Sequence, residues 1–583
     1  MASSFLLIYI LIILSSVQFS CSASDNGRHF PNIKAANGVI NARAKVLGGG
    51  SAINAGFYTR ADPSFIEKAG WDAELVNQSY PWVEEQIVKQ PNIAPWQEAV
   101  RRGVLEVGVV PDNGNSYEHK YGTKVGGTIF DEDGTRHTAA ELLASANPNN
   151  LHVYIHANVE KIIFNSTDEM KPPRTAAVKF RDEKGKRHLA FLSSKEHSEV
   201  FLSSGAIGSP QLLLLSGVGP AANLKRLKIP VVQDNRNVGK GLADNPLNSI
   251  FIPTKKPVKQ SLIRTVGITK LGVFIEASSG FSQSSDSIQT SRNYIGKLST
   301  IPPKQRTEAA IQAYRKRKPD LPHEVFNGGF ILEKIAGPLS TGELRLKNTN
   351  ISDNPIVTFN YFTHPYDLKR CVDGIRLVEK IVRTKCFAKL TNDDKLTMDM
   401  ILNMSVTANV NLIPKHTNDT KSLKQFCKDT VITIWHYHGG CHVDKVVDRN
   451  HRVLGVDGLR VVDGSVFSET PGTNPQATVM MRERLERAGN NLLLPQLLLK
   501  RLTNFNWMHR KFHRTAGGYM VSPKKDYVLS HQQLAFDHRH LQGQKPLNPP
   551  ERPNGYNAMN VKVCSYGHFM VNYVLKEQFP LEE

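Results

Sequence analysis

No stretch of this chain stays apolar for the roughly 18 or more residues that a membrane-crossing helix takes, so stable membrane insertion is not expected. Cysteine is scarce, six in 583 residues, with no C-x-x-C pair and no zinc spacing among them. Acidic residues are also in short supply: 53 Asp and Glu stand against 73 Lys and Arg, a formal charge of +20. The basic residues are scattered and form no helix-turn-helix, zinc finger or aromatic-interleaved strip. They therefore point to a solvated surface or to attraction toward an acidic matrix, and not to a nucleic-acid partner. A dinucleotide finger is missing as well. Counted from Gly48 and Gly50, the third glycine of G-x-G-x-x-G falls on Ile53, and Asn41 to Lys45 does not read as a buried strand.

What is present describes a globular chain. Hydrophobic residues make up 40% and charged residues 22%, which argues against disorder through most of the length, and 583 residues suffice for two or more packed domains. The N-terminus runs apolar from Phe5 to Leu14, about ten residues, the length of a signal-peptide core. Small residues Cys21-Ser22-Ala23 offer a cleavage site, so residues 1–23 are expected to be a leader and the mature protein secreted, although a positive n-region is missing. Sequons at Asn77, Asn165, Asn350, Asn403 and Asn418 agree with that route.

Two long segments carry most of the information. The first is Ala44-Lys45-Val46-Leu47-Gly48-Gly49-Gly50-Ser51-Ala52-Ile53-Asn54, continuing through Ala55, Gly56, Phe57, Tyr58 and Ala61. Adjacent glycines leave backbone N–H groups open to a large ligand. The second is Gly205-Ala206-Ile207-Gly208-Ser209-Pro210-Gln211, followed by Leu212 to Leu215 and Ser216-Gly217-Val218-Gly219. Together they resemble the paired signatures of the glucose–methanol–choline (GMC) flavoprotein oxidoreductases, and the first looks most like the HOTHEAD-like plant branch. The resemblance implies an α/β fold: a Rossmann-like domain binding flavin adenine dinucleotide (FAD), and an α+β substrate domain with an antiparallel sheet. The family's opening strand, glycine finger and helix should precede Gly38 but are not encoded there, so the Rossmann-like domain is expected to be incomplete and one strand short.

The implied boundaries are an FAD-binding region over 36–246, a substrate domain over 247–430, a return to the FAD domain over 431–490, and an unrelated basic tail over 491–583. Several elements are expected along the way. Leu151 to Phe164 suggests a strand pair bent at Ala157-Asn158, and Val178–Arg181 with His188–Leu192 a hairpin. Glu199 to Leu202 suggests a buried strand leading into a helix. Val238 to Pro246 resembles the family's "VGxxLxDH" segment, with Asn245 in place of histidine. A helix is expected from Pro365 to Arg383, strands over Ile432–His438 and Leu459–Ser465, and a further helix starting at Thr473–Ala477 with Pro475 in its first turn.

Oxidising an alcohol takes a base for the hydroxyl proton and a hydride acceptor at the carbinol carbon, roles suited to histidine and to a flavin. By resemblance His436 sits at the principal catalytic position, in Trp435-His436-Tyr437-His438-Gly439-Gly440-Cys441, with Asn474 at the partner position holding the substrate oxygen. Strand alternation would put His438 on the same face as His436. The residues that the resemblance places on the flavin are Val46, Gly50, Asn54, Ala55, Gly56, Phe57, Val159, Trp435, His436, Asp463, Gly464, Pro475 and Gln476. Reading His436, His438, Cys441 and His442 as metal ligands matches no closed-site geometry, and no metal is expected. Plant members also imply a disulfide from Cys427 to Cys371 or to Cys386. The expected reaction is FAD-dependent oxidation of a small-molecule alcohol, with a long-chain ω-hydroxy fatty acid as one candidate. The rival readings are a hydroxynitrile (mandelonitrile) lyase of the same fold, disfavoured by Asn474, and a truncated, inactive product.

Overall fold

Helix Gly205–Leu215 has no exposed face; all eleven of its residues are buried in the computed structural model. A helix that is apolar all round belongs inside a core, and the Leu212–Leu215 run puts it there. It follows strand Glu199–Leu202, the middle strand of a parallel sheet, as the sequence suggests. On one side Val200 to Leu202 pair with Leu459 to Val461. On the other, Tyr9↔Glu199 through Ile12↔Leu202 are paired in parallel. The sheet is therefore not one strand short on that side, contrary to expectation. Part of the run read as a leader occupies that edge, and an unpaired edge is a template for any extended apolar segment.

The described residues are 9–12, 32–34, 39–147, 151–165, 170–193, 198–279, 328–391, 397–408 and 422–482. They all belong to one compact unit; a second unit, Gly489–Lys562, and the rest of the expected tail lie outside them, as does most of the expected leader. Among the described residues a seven-stranded sheet runs in the order Val431–Thr433, Pro246–Pro253, Gly328–Ile335, Val273–Ser279, Thr265–Ile268, Gly122–Val125, Asp112–Asn115. Its pairs are antiparallel except the last, which is parallel. The fold is thus α/β with an added antiparallel sheet, as expected. That sheet draws strands from both sides of residue 246.

Side chains alternate across this sheet. Ile250, Ile252, Ile275, Ala277, Ile331 and Ile335 join the main core, with helices Pro95–Glu106 and Pro365–Val382 among the elements packed there. Leu247, Phe251, Val266, Phe274, Phe330 and Leu332 form a second apolar cluster with Phe57, against which Ile432 and Ile434 pack. Two charges, Glu276 and Lys334, are fully buried in this sheet and bond each other. Cys371 and Cys427 are joined by a disulfide, tying helix Pro365–Val382 to helix Leu423–Thr430, while Cys386 is free.

Several expected elements are shorter than their patterns. Of Leu151 to Phe164 only Asn158–Asn165 is a strand, so no bent pair forms and Val159 lies within a strand instead of a turn. The strand expected over Ile432–His438 stops at Thr433, because Trp435 takes a left-handed φ of 61° that no strand sustains. The strand expected over Leu459–Ser465 stops at Val461, where Asp463 caps a 3₁₀ turn. The last helix runs over 476–482, directly after Pro475. The hairpin is present as Arg174–Arg181 with Arg187–Phe191.

Candidate active site

The first glycine segment forms a 3₁₀ turn, Gly49–Ala52, entered through Gly48 at φ 90°. A side chain at Gly48 would be strained at that φ and would meet Thr138 Oγ1 at 2.9 Å. Gly50 takes part through its carbonyl, which accepts from Ile53 N and Asn54 N, and Gly49 N donates to the carbonyl of Val46. The turn delivers Asn54 to a hub. Asn54 Nδ2 donates to Gln476 Oε1 at 2.8 Å, and Asn54 Oδ1 accepts from Gly56 N and Arg136 Nη1. Gln476 Nε2 in turn donates to the carbonyl of Phe57 at 2.5 Å. Residues more than 400 positions apart thereby form one assembly, and Ala55 packs against the apolar cluster beside it.

A second hub gathers around Asp463. Its Oδ2 accepts from Gly205 N at 2.9 Å and from Ser209 Oγ, so a carboxylate meets the N-terminus of the buried helix, where negative charge is favoured. Its Oδ1 caps Ser465 N. Gly439 N donates to the carbonyl of Gly464, and Cys441 N to that of Ser465, which docks the histidine segment onto this turn.

Asp244 and Asn245 hold His436. Asp244 Oδ1 accepts from His436 N at 2.9 Å, while Oδ2 accepts from Thr433 Oγ1 and Tyr361 Oη. Burial pushes the Asp244 carboxyl up to about 7 despite these donors. Asn245 Nδ2 lies 3.1 Å from His436 Nδ1 and 3.5 Å from the carbonyl of Thr473, next to Asn474. His436 is itself buried, and that burial, with smaller contributions from Lys334 and His438, holds its imidazole well below the usual range. His438 is held down to about 4, mainly by burial, and its Nδ1 bonds the carbonyl of His436. Both rings are therefore neutral at ordinary pH. Strand alternation does not relate them, since the strand has already ended.

Asn474 Oδ1 and Thr473 Oγ1 are buried with no protein partner. Trp435 is 41% exposed, and its N–H donates to Thr433 Oγ1. Pro475 accepts from Val479 N and begins the helix. Val46 and Val159 are buried but bond none of the other candidates. Sequence reasoning missed the parts played by Asp244, Asn245, Tyr361 and Arg136. For the first two the signal was there: an Asp-Asn pair opening a buried strand needs partners for its polar groups.

Comparison with known proteins agrees with this assembly. The family model described as GMC oxidoreductase matches in two parts, over residues 20–247 and 338–482. The chain is 60% identical to protein HOTHEAD of Arabidopsis thaliana over 465 residues, 78% of each chain. It is 44% identical to an (R)-mandelonitrile lyase-like protein of the same plant, covering 77% of this chain and 76% of the relative. With sinalpyl alcohol oxidase Nec3 of Nesocodon mauritianus it shares 41% identity, covering 77% of each. Among solved structures, pyridoxine 4-oxidase from Mesorbium loti overlays with a TM-score of 0.62 at 18% identity, covering 82% of this chain and 93% of that one, and supports the fold. The two family segments in order and the long match to HOTHEAD place the chain in the GMC oxidoreductase family, with FAD as its cofactor.

Proposed function

We propose that the protein oxidises the CH–OH group of a small-molecule alcohol, with His436 and Asn474 at the substrate oxygen. The observation that carries this reading is the pairing of a buried, neutral His436 with a buried, unpartnered Asn474 Oδ1, linked through Asn245 and Thr473. An alcohol O–H fits the vacant Asn474 acceptor, and a neutral imidazole can exchange a proton with the same oxygen. The partnerless Thr473 Oγ1 fits a bound cofactor in the same region. Asn54, Gly56, Phe57, Asp463, Gly464, Pro475 and Gln476 are the residues that would hold it, with Val46, Gly50, Ala55, Val159 and Trp435 around them. FAD, when bound, supplies the hydride acceptor. The chain's own residues bind and orient the alcohol, and His436 manages its proton.

The Phe57, Phe251 and Phe330 cluster, extended by Ile434 two residues before His436, suits an alkyl or aryl substrate. A long-chain ω-hydroxy fatty acid is the candidate we favour. Cyanohydrin cleavage, which the names of several relatives suggest, is the second reading. Asn474 weighs against it because an amide carries no titratable proton near neutrality. Export is proposed too, on the signal-like residues 1–23 and on a disulfide of the kind that persists in oxidising compartments. In FAD-loaded protein, His436→Ala should lower turnover by about two to four orders of magnitude, the usual yield of a positioned acid–base group. Flavin content should stay near that of the parent, and unchanged alcohol oxidation would remove His436 from the reaction.

A further inference from the structure

Asn245 meets His436 at its ring nitrogen Nδ1, so the orientation of the Asn245 amide bears on the His436 tautomer. Asn245 is fully buried, and its amide has one end that only donates and one that only accepts. Gly337 N–H, which can only donate, lies 3.3 Å from Oδ1. The carbonyl of Thr473, which can only accept, lies 3.5 Å from Nδ2. Thr470 Oγ1 lies 3.3 Å from Nδ2 and donates its own hydrogen to the carbonyl of Gly472, so it turns a lone pair toward Asn245. Three neighbours thus agree on the orientation of the amide, and its two Nδ2 hydrogens serve the two nearest acceptors, His436 Nδ1 at 3.1 Å and Thr470 Oγ1 at 3.3 Å, ahead of the longer approach to Thr473.

We propose that Asn245 is a positioning residue that fixes the neutral tautomer of His436, with the lone pair at Nδ1 and the proton at Nε2. This rests on the reading of His436 as the residue at the substrate oxygen. Nε2 has no bonding partner among the described residues, so the resting site presents an N–H to whatever oxygen it receives. An alcohol oxygen then accepts from His436 Nε2–H while its own hydrogen goes to the vacant Asn474 Oδ1. In this tautomer His436 clasps the substrate oxygen as a donor. Taking the hydroxyl proton at Nε2 requires the proton on Nδ1 instead. That arrangement would turn the Asn245 amide over, setting Nδ2 against Gly337 N–H and Oδ1 against the Thr473 carbonyl. Asn245 therefore sets the balance between the binding form and the base form of His436.

Nitrogen NMR of the full chain labelled with ¹⁵N-histidine reads the tautomer directly, with the His436 ring assigned by its disappearance in His436→Gln. The expected pattern is a protonated, pyrrole-like Nε2 and an unprotonated, pyridine-like Nδ1. In Asn245→Asp a carboxylate faces Nδ1, and the pattern should invert; in Asn245→Ala the two forms should mix. A protonated Nδ1 in the parent protein, or the same pattern in parent and Asn245→Asp, overturns the proposal. If Asn245→Asp fails to fold, the parent spectrum alone decides. Failure of alcohol oxidation would overturn the proposed function and leave this tautomer standing, so the two outcomes are separable.

Discussion

At the scale of single residues, Asp244 shows how burial and hydrogen bonding compete. Three side-chain and backbone donors surround its carboxylate, yet loss of water outweighs them and lifts it from 3.8 to about 7. A carboxyl raised on folding binds its proton more tightly in the folded chain. Its contribution is complete below the unfolded value and is lost as pH rises toward about 7. At about 1.4 kcal/mol per unit the loss is about 4 kcal/mol. The neutral His436 and His438 act in the opposite sense, since folding depresses them and the unfolded chain takes up protons below its own histidine values. Comparing Asp244→Asn with the parent isolates the carboxyl. Urea unfolding between pH 4 and 7 should show the parent's stability falling relative to the variant's as pH rises. A constant difference across that range would mean that Asp244 is ionised throughout.

At the scale of elements, long patterned segments were legible and their ends were not. The amphipathic helix over 365–382 followed from periodicity, the hairpin from its turn at Asp182–Gly185, and the buried helix from its unbroken apolar run Leu212–Leu215. The histidine segment misled, because Ile432-Thr433-Ile434-Trp435 has strand composition while the chain turns at Trp435 to bring His436 under Asp244. Tertiary hydrogen bonds overrode local propensity there, as they commonly do in strands. The choice between Cys371 and Cys386 was likewise beyond sequence, since it depends on which helix faces Leu423–Thr430. That bond closes a loop of 56 residues, and loop closure of that size is worth about 4 kcal/mol in the chain-entropy account. Cys427→Ser should therefore lower unfolding stability by about 2–4 kcal/mol without altering flavin contacts, measured by denaturant titration of oxidised and reduced protein. A loss below about 0.5 kcal/mol, the scatter of an ordinary surface change, would mean that the helices hold together without it.

At the scale of the whole molecule, the site is assembled from distant segments, and that is why motifs located it while geometry stayed hidden. Residues 54–57, 205–209, 244–245, 436–441, 463–465 and 473–476 are linked through Asn54, Asn245 and Asp463. The glycine segments and His436 were found through their resemblance to the family's signatures. Asp244 and Asn245 carried only the weaker signal of a polar pair opening a buried strand, and what they hold comes from what they touch. The parallel sheet holds the largest departure from expectation, the strand Tyr9–Ile12 beside Glu199–Leu202. Cleavage after residue 23 would remove that strand and leave Glu199–Leu202 without its partner on that side. The central claim is that the assembled site transfers hydride from an alcohol. Its most direct measurement is anaerobic mixing of FAD-saturated protein with a panel of alcohols and, separately, with mandelonitrile, following flavin absorbance and cyanide. Bleaching of the flavin by an alcohol, with cyanide at background, is the predicted result. Rapid cyanide release with no flavin reduction by any alcohol would contradict it.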